Sequence, residues 1–320
     1  MNNATIGTTG IEVSRLSLGS WYTYSRLSFE AGVDLVRTAL DLGITFFDVA
    51  YYRNSPHTEM IFSRLIREAG AKREDYQLAE KLWYFNYPEE SLSVQTDRML
   101  RRVGEDYADV LIIEHPRPGM SVEKLVDEIT EVVDSGRARC WGALNWVPED
   151  LLAAHEHAVS IGKPGPQLAQ LKYSIVRRNV VEDQYREVVN RTGMSIHASD
   201  TMEGGILAGV LEPERHIGID VGEIRNEIKA TVPAILDAAK ELGITPAQFS
   251  LAWCLTNPQV ASLLFGATRP ERLRENAEAV RIAAELGDRI REAAEGLGID
   301  AHALDAPYTH DRALIGDYVA

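Results

Sequence analysis

FFDVAYYRN (residues 46–54), LAEKLWY (78–84) and DVLIIEHPRPG (109–119) decide how this chain is read. Each is an apolar, β-type run that ends abruptly in one ionisable residue and then a loop: Asp48, Lys81 and His115. A fourth stretch, CWGALNW (140–146), continues the rhythm. In a (β/α)8 barrel the loop-facing strand ends converge at one mouth, where active sites are built. Three ionisable groups distant in sequence would thereby meet in one pocket.

Outward from these stretches, strand and helix alternate along the chain. A TTG turn between two short β-type runs over Ala4 to Gly19 predicts an N-terminal hairpin. Ser28 caps a helix that Gly43 ends, and ITFFDVA (44–50) reads as a buried strand. Met60, Ile61, Leu65 and Ile66 give residues 57–70 helical spacing. A strand over 77–81, a helix over 91–104, a strand over 109–115 and a helix over 121–136 follow. The second half repeats the pattern: strand 138–145, helix 148–162 with proline in its first turn, strand 167–174, helix 180–193 and strand 194–200. The glycine- and charge-rich stretch Thr201 to Glu227 predicts a long loop at the mouth. Helices over 228–243 and 245–258, a strand over 261–267, a helix over 270–282 and an appended C-terminal helix close the series. Eight strands are counted outside the hairpin, which predicts an α/β protein with a (β/α)8 TIM barrel, one domain over residues 1–320. A doubly wound sheet would need a glycine-rich turn after its first strand, and LSLGSWYTY offers a single glycine there.

Composition narrows the function classes. The chain has 320 residues, 45% hydrophobic and 25% charged, with a net charge of −15. That charge repels nucleic acid and anionic membranes, so neither is expected as a partner. Apolar runs fall short of a membrane span, and MNNATIGTTG lacks the basic-then-apolar pattern of a signal peptide, so the expected location is cytoplasmic. Cys140 and Cys254 read as reduced core residues, with no Cys/His cluster to suggest a metal.

LSLGSW (16–21), FFDVA, AEKLW, EHPRPG, WGALNW and LLFGATRPERLREN (263–276), in this order, resemble the aldo-keto reductases. The strongest likeness is to the branch of potassium-channel β subunits and related bacterial reductases. The resemblance implies NADP(H) bound in extended form at the barrel mouth, and hydride transfer between nicotinamide and a carbonyl or alcohol. It implies a tyrosine as proton donor, a lysine paired with an aspartate, and a histidine orienting the carbonyl. Asp48, Lys81 and His115 match three of those four positions. The cofactor contacts it implies are Gly19, Ser20, Trp21, Asp48, Asn145, Gln170, Ser199 and Gly205 at the nicotinamide end. At the adenosine and phosphate end they are Gly266, Thr268, Arg272, Glu275 and Asn276.

The sequence departs from that pattern at the chemical end. The family tyrosine stands five residues after the aspartate, which here is Arg53. Tyr52 beside it could supply the hydroxyl, completing a catalytic set of Asp48, Tyr52, Lys81 and His115. Arg53 cannot be a general acid at neutral pH, although it could hold an anionic substrate. Ser199 stands where the family often stacks an aromatic residue on the nicotinamide, and Asp200 or Glu203 would add a carboxylate there. Tyr22, Arg53 and Trp83 are the candidate substrate contacts. Tyr24, Tyr51, Tyr84 and Phe85 join them in an aromatic mouth that suits an aromatic or anionic small molecule. The expected activity is that of an NADP-dependent oxidoreductase. The alternatives are a redox-neutral lyase or epimerase and a non-catalytic nucleotide-sensing subunit; homo-oligomerisation stays open.

Overall fold

The computed structural model describes residues 3–52, 55–212 and 224–301. Eight parallel strands form a closed barrel: β3 (Leu16–Gly19), β4 (Phe46–Val49), β5 (Gln77–Leu82), β6 (Ala108–Glu114), β7 (Ala138–Leu144), β8 (Leu168–Lys172), β9 (Ser195–Ser199) and β10 (Val260–Phe265). β10 closes the ring by pairing with both β3 and β9.

Strand alternation sorts the side chains into two cores. Phe46, Ala79, Val110, Ile112 and Leu168 fill the barrel interior. Phe47, Val49, Leu78, Leu82, Leu111 and Ile113 pack outward against the helices. Asp48 and Lys81 therefore share the interior parity of Phe46 and Ala79, whereas Glu80 is sent into the helix layer.

Before the barrel, β1 (Asn3–Thr5) and β2 (Glu12–Ser14) form an antiparallel hairpin. Ile6, Ile11 and Val13 join the interior core. The Gly7 N–H donates to Ser195 Oγ at 2.9 Å and the Thr8 N–H to Gln167 Oε1 at 2.9 Å, both at strand starts. The hairpin thus plugs the N-terminal end and leaves the opposite end as the mouth.

The outer layer contains α1 (Phe29–Asp41), α2 (Thr58–Glu68), α3 (Leu92–Val103), α4 (Val122–Asp134), α5 (Pro148–Ser160), α6 (Arg186–Thr192), α7 (Ile224–Leu242), α8 (Pro246–Leu255), α9 (Pro270–Ala277) and α10 (Ala279–Ala293). Side-chain oxygens of Ser28, Ser91, Ser121 and Thr245 accept backbone N–H groups at four of the helix starts.

Three expectations shift. The runs named outside the hairpin supply seven barrel strands; the eighth is Leu16–Gly19, which the hairpin reading of Ala4 to Gly19 had absorbed. Thr5, Glu12 and Ser14 already complete the hairpin ladder, so the next apolar run pairs with β4 and β10 instead. The helix expected over 180–193 is a π-helical turn, Val180–Gln184, followed by α6. The helix expected over 270–282 divides at Glu278, and its second part runs on through the appended helix as α10. Of the long loop expected over 201–227, residues 213–223 lie outside the described residues; α7 already begins at Ile224.

Candidate active site

Asp48, next to last in β4, and Lys81, next to last in β5, point into the barrel and form a buried ion pair through Lys81 Nζ and Asp48 Oδ1. Gln170 on β8 donates from Nε2 to the other carboxylate oxygen, Oδ2, at 2.7 Å. The same amide nitrogen lies 2.9 Å from His197 Nδ1, and His197 Nε2 lies 2.6 Å from Ser17 Oγ. Ser17 Oγ donates to the Leu263 carbonyl at 2.9 Å. With its one proton committed there, Ser17 accepts from His197 Nε2–H, and Nδ1 accepts from Gln170. This assigns His197 as the neutral Nε2–H tautomer in a relay from β3 to β9, β8 and β4.

Burial pushes the His197 pKa down to about 4, against the pull of Asp48 and with the Lys81 charge adding to it. The unfolded chain takes up this proton first as pH falls, so stability held above the ordinary histidine value of 6.5 is lost progressively down to about 4. A shift of this size is worth about 3 kcal/mol. His197→Gln is expected to flatten the fall in unfolding midpoint across that window. An unchanged slope would remove His197 from the acid response.

At the mouth, the Ser55 N–H donates to the Tyr52 carbonyl at 3.0 Å. Arg53, the other candidate for the tyrosine role, lies outside the described residues. Tyr52 is half-buried between Trp21 and Trp83, with ring centroids 6.4 and 6.3 Å away. Desolvation and then Asp48 hold its phenol above the ordinary range; Ser20 opposes, while Glu80 and Glu59 add to the rise. Burial and the neighbouring carboxylates thus make this phenol a weaker acid. His115 stands directly after β6, 9% exposed, on the rim beyond Lys81.

Several aromatic residues do wall the mouth. Trp21 and Tyr22 are in ring contact at 4.9 Å, and the Trp83 indole N–H donates to the Tyr51 carbonyl at 2.9 Å. Tyr24 and Tyr84 do not; they are buried in the helix-layer core, Tyr24 against Phe62. An aromatic count cannot tell a rim position from a core position one residue away. Glu114 is structural, its Oε2 accepting the Tyr84 N–H at 3.0 Å.

The nicotinamide-end candidates ring the same mouth. Gly19 ends β3 where an added Cβ would meet the Leu264 side chain at 3.1 Å. Ser20 is buried beside it. Asn145 has a left-handed φ of 55° after β7, and its N–H donates to the Gln170 carbonyl at 3.0 Å. Gln170, expected at the nicotinamide end, gives its amide hydrogens to Asp48 and His197. Ser199 closes β9, and Gly205 has a φ of 102° in the following turn. Glu203, placed beside the nicotinamide by its sequence position, is turned away: Arg177 Nε reaches both its oxygens, at 3.0 and 3.1 Å, and Ser174 Oγ donates at 2.6 Å. At the other end, Gly266, Thr268 and Arg272 are exposed around the start of α9, Arg272 pairs with Glu275 at 2.9 Å, and Asn276 is buried.

The buried donors at this mouth with no hydrogen-bond partner among the described residues include Trp21 Nε1, after β3, and Thr201 Oγ1, after β9. These two flank β10 on either side. Buried polar groups are rarely left unmatched, so the pair fits a polar ligand laid across the end of β10. An extended dinucleotide reaching from Gly19 toward Arg272 satisfies that description.

The family's sequence model, described as the aldo/keto reductase family, matches residues 15–295. The chain belongs to the aldo/keto reductase family, whose members are generally NAD(P)H-dependent oxidoreductases. Among curated proteins it is 28% identical over 301 residues to a probable voltage-gated potassium channel subunit beta of Arabidopsis thaliana, covering 88% of this chain and 92% of the relative. It is 26% identical over 308 residues to a putative subunit of the same description from Schizosaccharomyces pombe (89% and 90%). A probable one from Oryza sativa subsp. japonica is 26% identical over 301 residues (88% and 92%). The likeness to channel β subunits is thus a finding about the whole barrel. Among the described residues, no helix is long and apolar enough to cross a membrane.

His197, Ser17 and Arg177 escaped the sequence reading. The signal for His197 was present: it is the one ionisable residue inside the strand MSIHAS, two positions before Ser199 and so on the same face. Nothing local marks Ser17 or Arg177, because their partners lie 180 and 26 residues away.

Proposed function

We infer that the chain is an NADP(H)-dependent oxidoreductase that interconverts a carbonyl and an alcohol at the barrel mouth. The buried Asp48–Lys81 pair, whose carboxylate acts on the Tyr52 phenol, carries this reading. Gly19, Ser20, Trp21, Asn145, Ser199 and Gly205 would hold the nicotinamide end, and Gly266, Thr268, Arg272, Glu275 and Asn276 the adenosine and phosphate end. A bound nicotinamide supplies or accepts the hydride at the carbonyl carbon. The protein's own part is to orient the carbonyl through His115 and to donate a proton from Tyr52 to its oxygen. Lys81 offsets the Asp48 charge, which otherwise makes the phenol a poorer acid. The aromatic walls exclude water.

The test is a titration with NADPH and NADH followed by tryptophan quenching, then a carbonyl panel followed by loss of NADPH. Tyr52→Phe is expected to lower turnover by about 10²–10⁴, with cofactor affinity within a few-fold of wild type. Normal turnover in that variant would pass the acid role to another group. The relatives' names support a second reading, a nucleotide-sensing regulatory subunit. Tight NADPH binding with no turnover on the panel favours it.

A further inference from the structure

A cleft of about 280 Å³ opens on the α3 side of the mouth, and Lys81 is part of its lining. Gln95, Arg98 and Arg102 form one wall. Their spacing along α3 places them in one row on the helix face. The opposite wall is aromatic. Trp83 and Phe85 stack with centroids 6.2 Å apart and planes 30° apart, and Tyr51 meets Phe85 edge-on at 5.9 Å.

The two arginines differ in their commitments. Arg102 grips the buried Glu59 carboxylate through Nε and Nη2, and its guanidinium lies 5.0 Å from the Tyr51 ring centre. Arg98 is half-exposed and pairs at 2.5 Å with Glu90, itself part of the cleft lining. Glu90 is held by its backbone, its N–H donating to Asn86 at 2.8 Å and its carbonyl accepting from Gln95 at 3.0 Å. A carboxylate of the chain thus already sits on the guanidinium that faces the cleft. Exposed pairs of this kind add little stability and are screened by salt, so a ligand carboxylate can take the place of Glu90 at small cost. The aromatic wall suits a planar ring.

Building on the oxidoreductase reading, we propose that this cleft receives the non-reacting end of the substrate. That substrate is a flat, ring-bearing carbonyl compound with a carboxylate, which Arg98 holds in place of Glu90. In the reaction the carbonyl carbon gains the hydride and its oxygen the proton, while the carboxylate is unchanged.

Paired probes test this: 4-carboxybenzaldehyde against benzaldehyde for NADPH-dependent reduction, and benzoate as a non-reacting binder followed by tryptophan quenching. Arg98→Gln is expected to lower the kcat/KM ratio of the charged to the neutral aldehyde about tenfold or more, through KM, the loss typical of a charged hydrogen bond. Glu90→Gln, which removes the internal competitor, shifts that ratio and benzoate affinity the opposite way. A merely structural role for the pair would move both variants in the same direction and would overturn the proposal. An unchanged ratio with benzaldehyde still reduced also overturns it and leaves the oxidoreductase reading standing. Benzoate binding with opposed shifts but no aldehyde turnover keeps the anion cleft and overturns the oxidoreductase reading instead.

Discussion

Lys81→Met is expected to lower turnover by about 10²–10⁴ while the barrel still binds cofactor. The effect runs through Tyr52. Burial and Asp48 already hold that phenol above its ordinary range, and the ion pair with Lys81 partly cancels the carboxylate's field. Without the ammonium, Asp48 keeps the Gln170 amide at 2.7 Å. Tyr52 then faces a less compensated negative charge and becomes a still weaker acid. The double variant Lys81→Met/Asp48→Asn removes both charges and is expected to recover part of the lost turnover, the sign of coupling through a shared site. Single-turnover rates with NADPH, alongside cofactor titrations, check both steps. Wild-type turnover in Lys81→Met, or a double variant no better than the single, would detach Lys81 from the chemistry.

The barrel was legible because its signals are local and repeated. Apolar runs of strand length, serine caps such as Ser28, Ser91 and Ser121, and glycine stops such as Gly104 each declare themselves within a few residues. Asp48, Lys81 and His115 were legible for a related reason: each breaks an apolar run at the loop-facing end of a strand. What surrounds them was not. Gln170, Ser17 and His197 reach Asp48 across three other strands, and such contacts exist only once the barrel has closed. Glu80 shows the limit of parity alone. Its place after Ala79 sends it outward, but only the packed helices reveal that both its carboxylate oxygens are buried without a partner among the described residues. Desolvation, with Glu59 next, raises its pKa well above the usual carboxylate range. The Leu16–Gly19 strand was misassigned because a short apolar run after a turn satisfies a hairpin rule and a barrel rule equally well.

Arg177→Met is expected to cost about 3–5 kcal/mol of stability, the penalty for stranding a buried partner charge. Arg177 is 1% exposed and Glu203 6% exposed, so water screens neither. Glu203 has a φ of 47° and is followed by Gly204 at 74° and Gly205 at 102°, a backbone path that ordinary side chains resist. The bonds from Arg177 and Ser174 hold it there. Desolvation already raises the Glu203 pKa, with Arg177 the largest opposing influence. A carboxyl with a raised folded pKa binds its proton more tightly in the native state, so its contribution to stability falls as pH rises above the ordinary glutamate value of 4.5. Removing Arg177 raises that pKa further, and the loss should therefore be larger at alkaline than at mildly acidic pH. Urea midpoints across that range, with unchanged m, measure it. Arg177→Met/Glu203→Gln should recover much of the stability at high pH by removing the stranded charge. Because Ser199 and Thr201 lead directly into this turn, the single variant should also weaken NADPH binding. A midpoint indifferent to pH would show that Arg177 acts through packing alone.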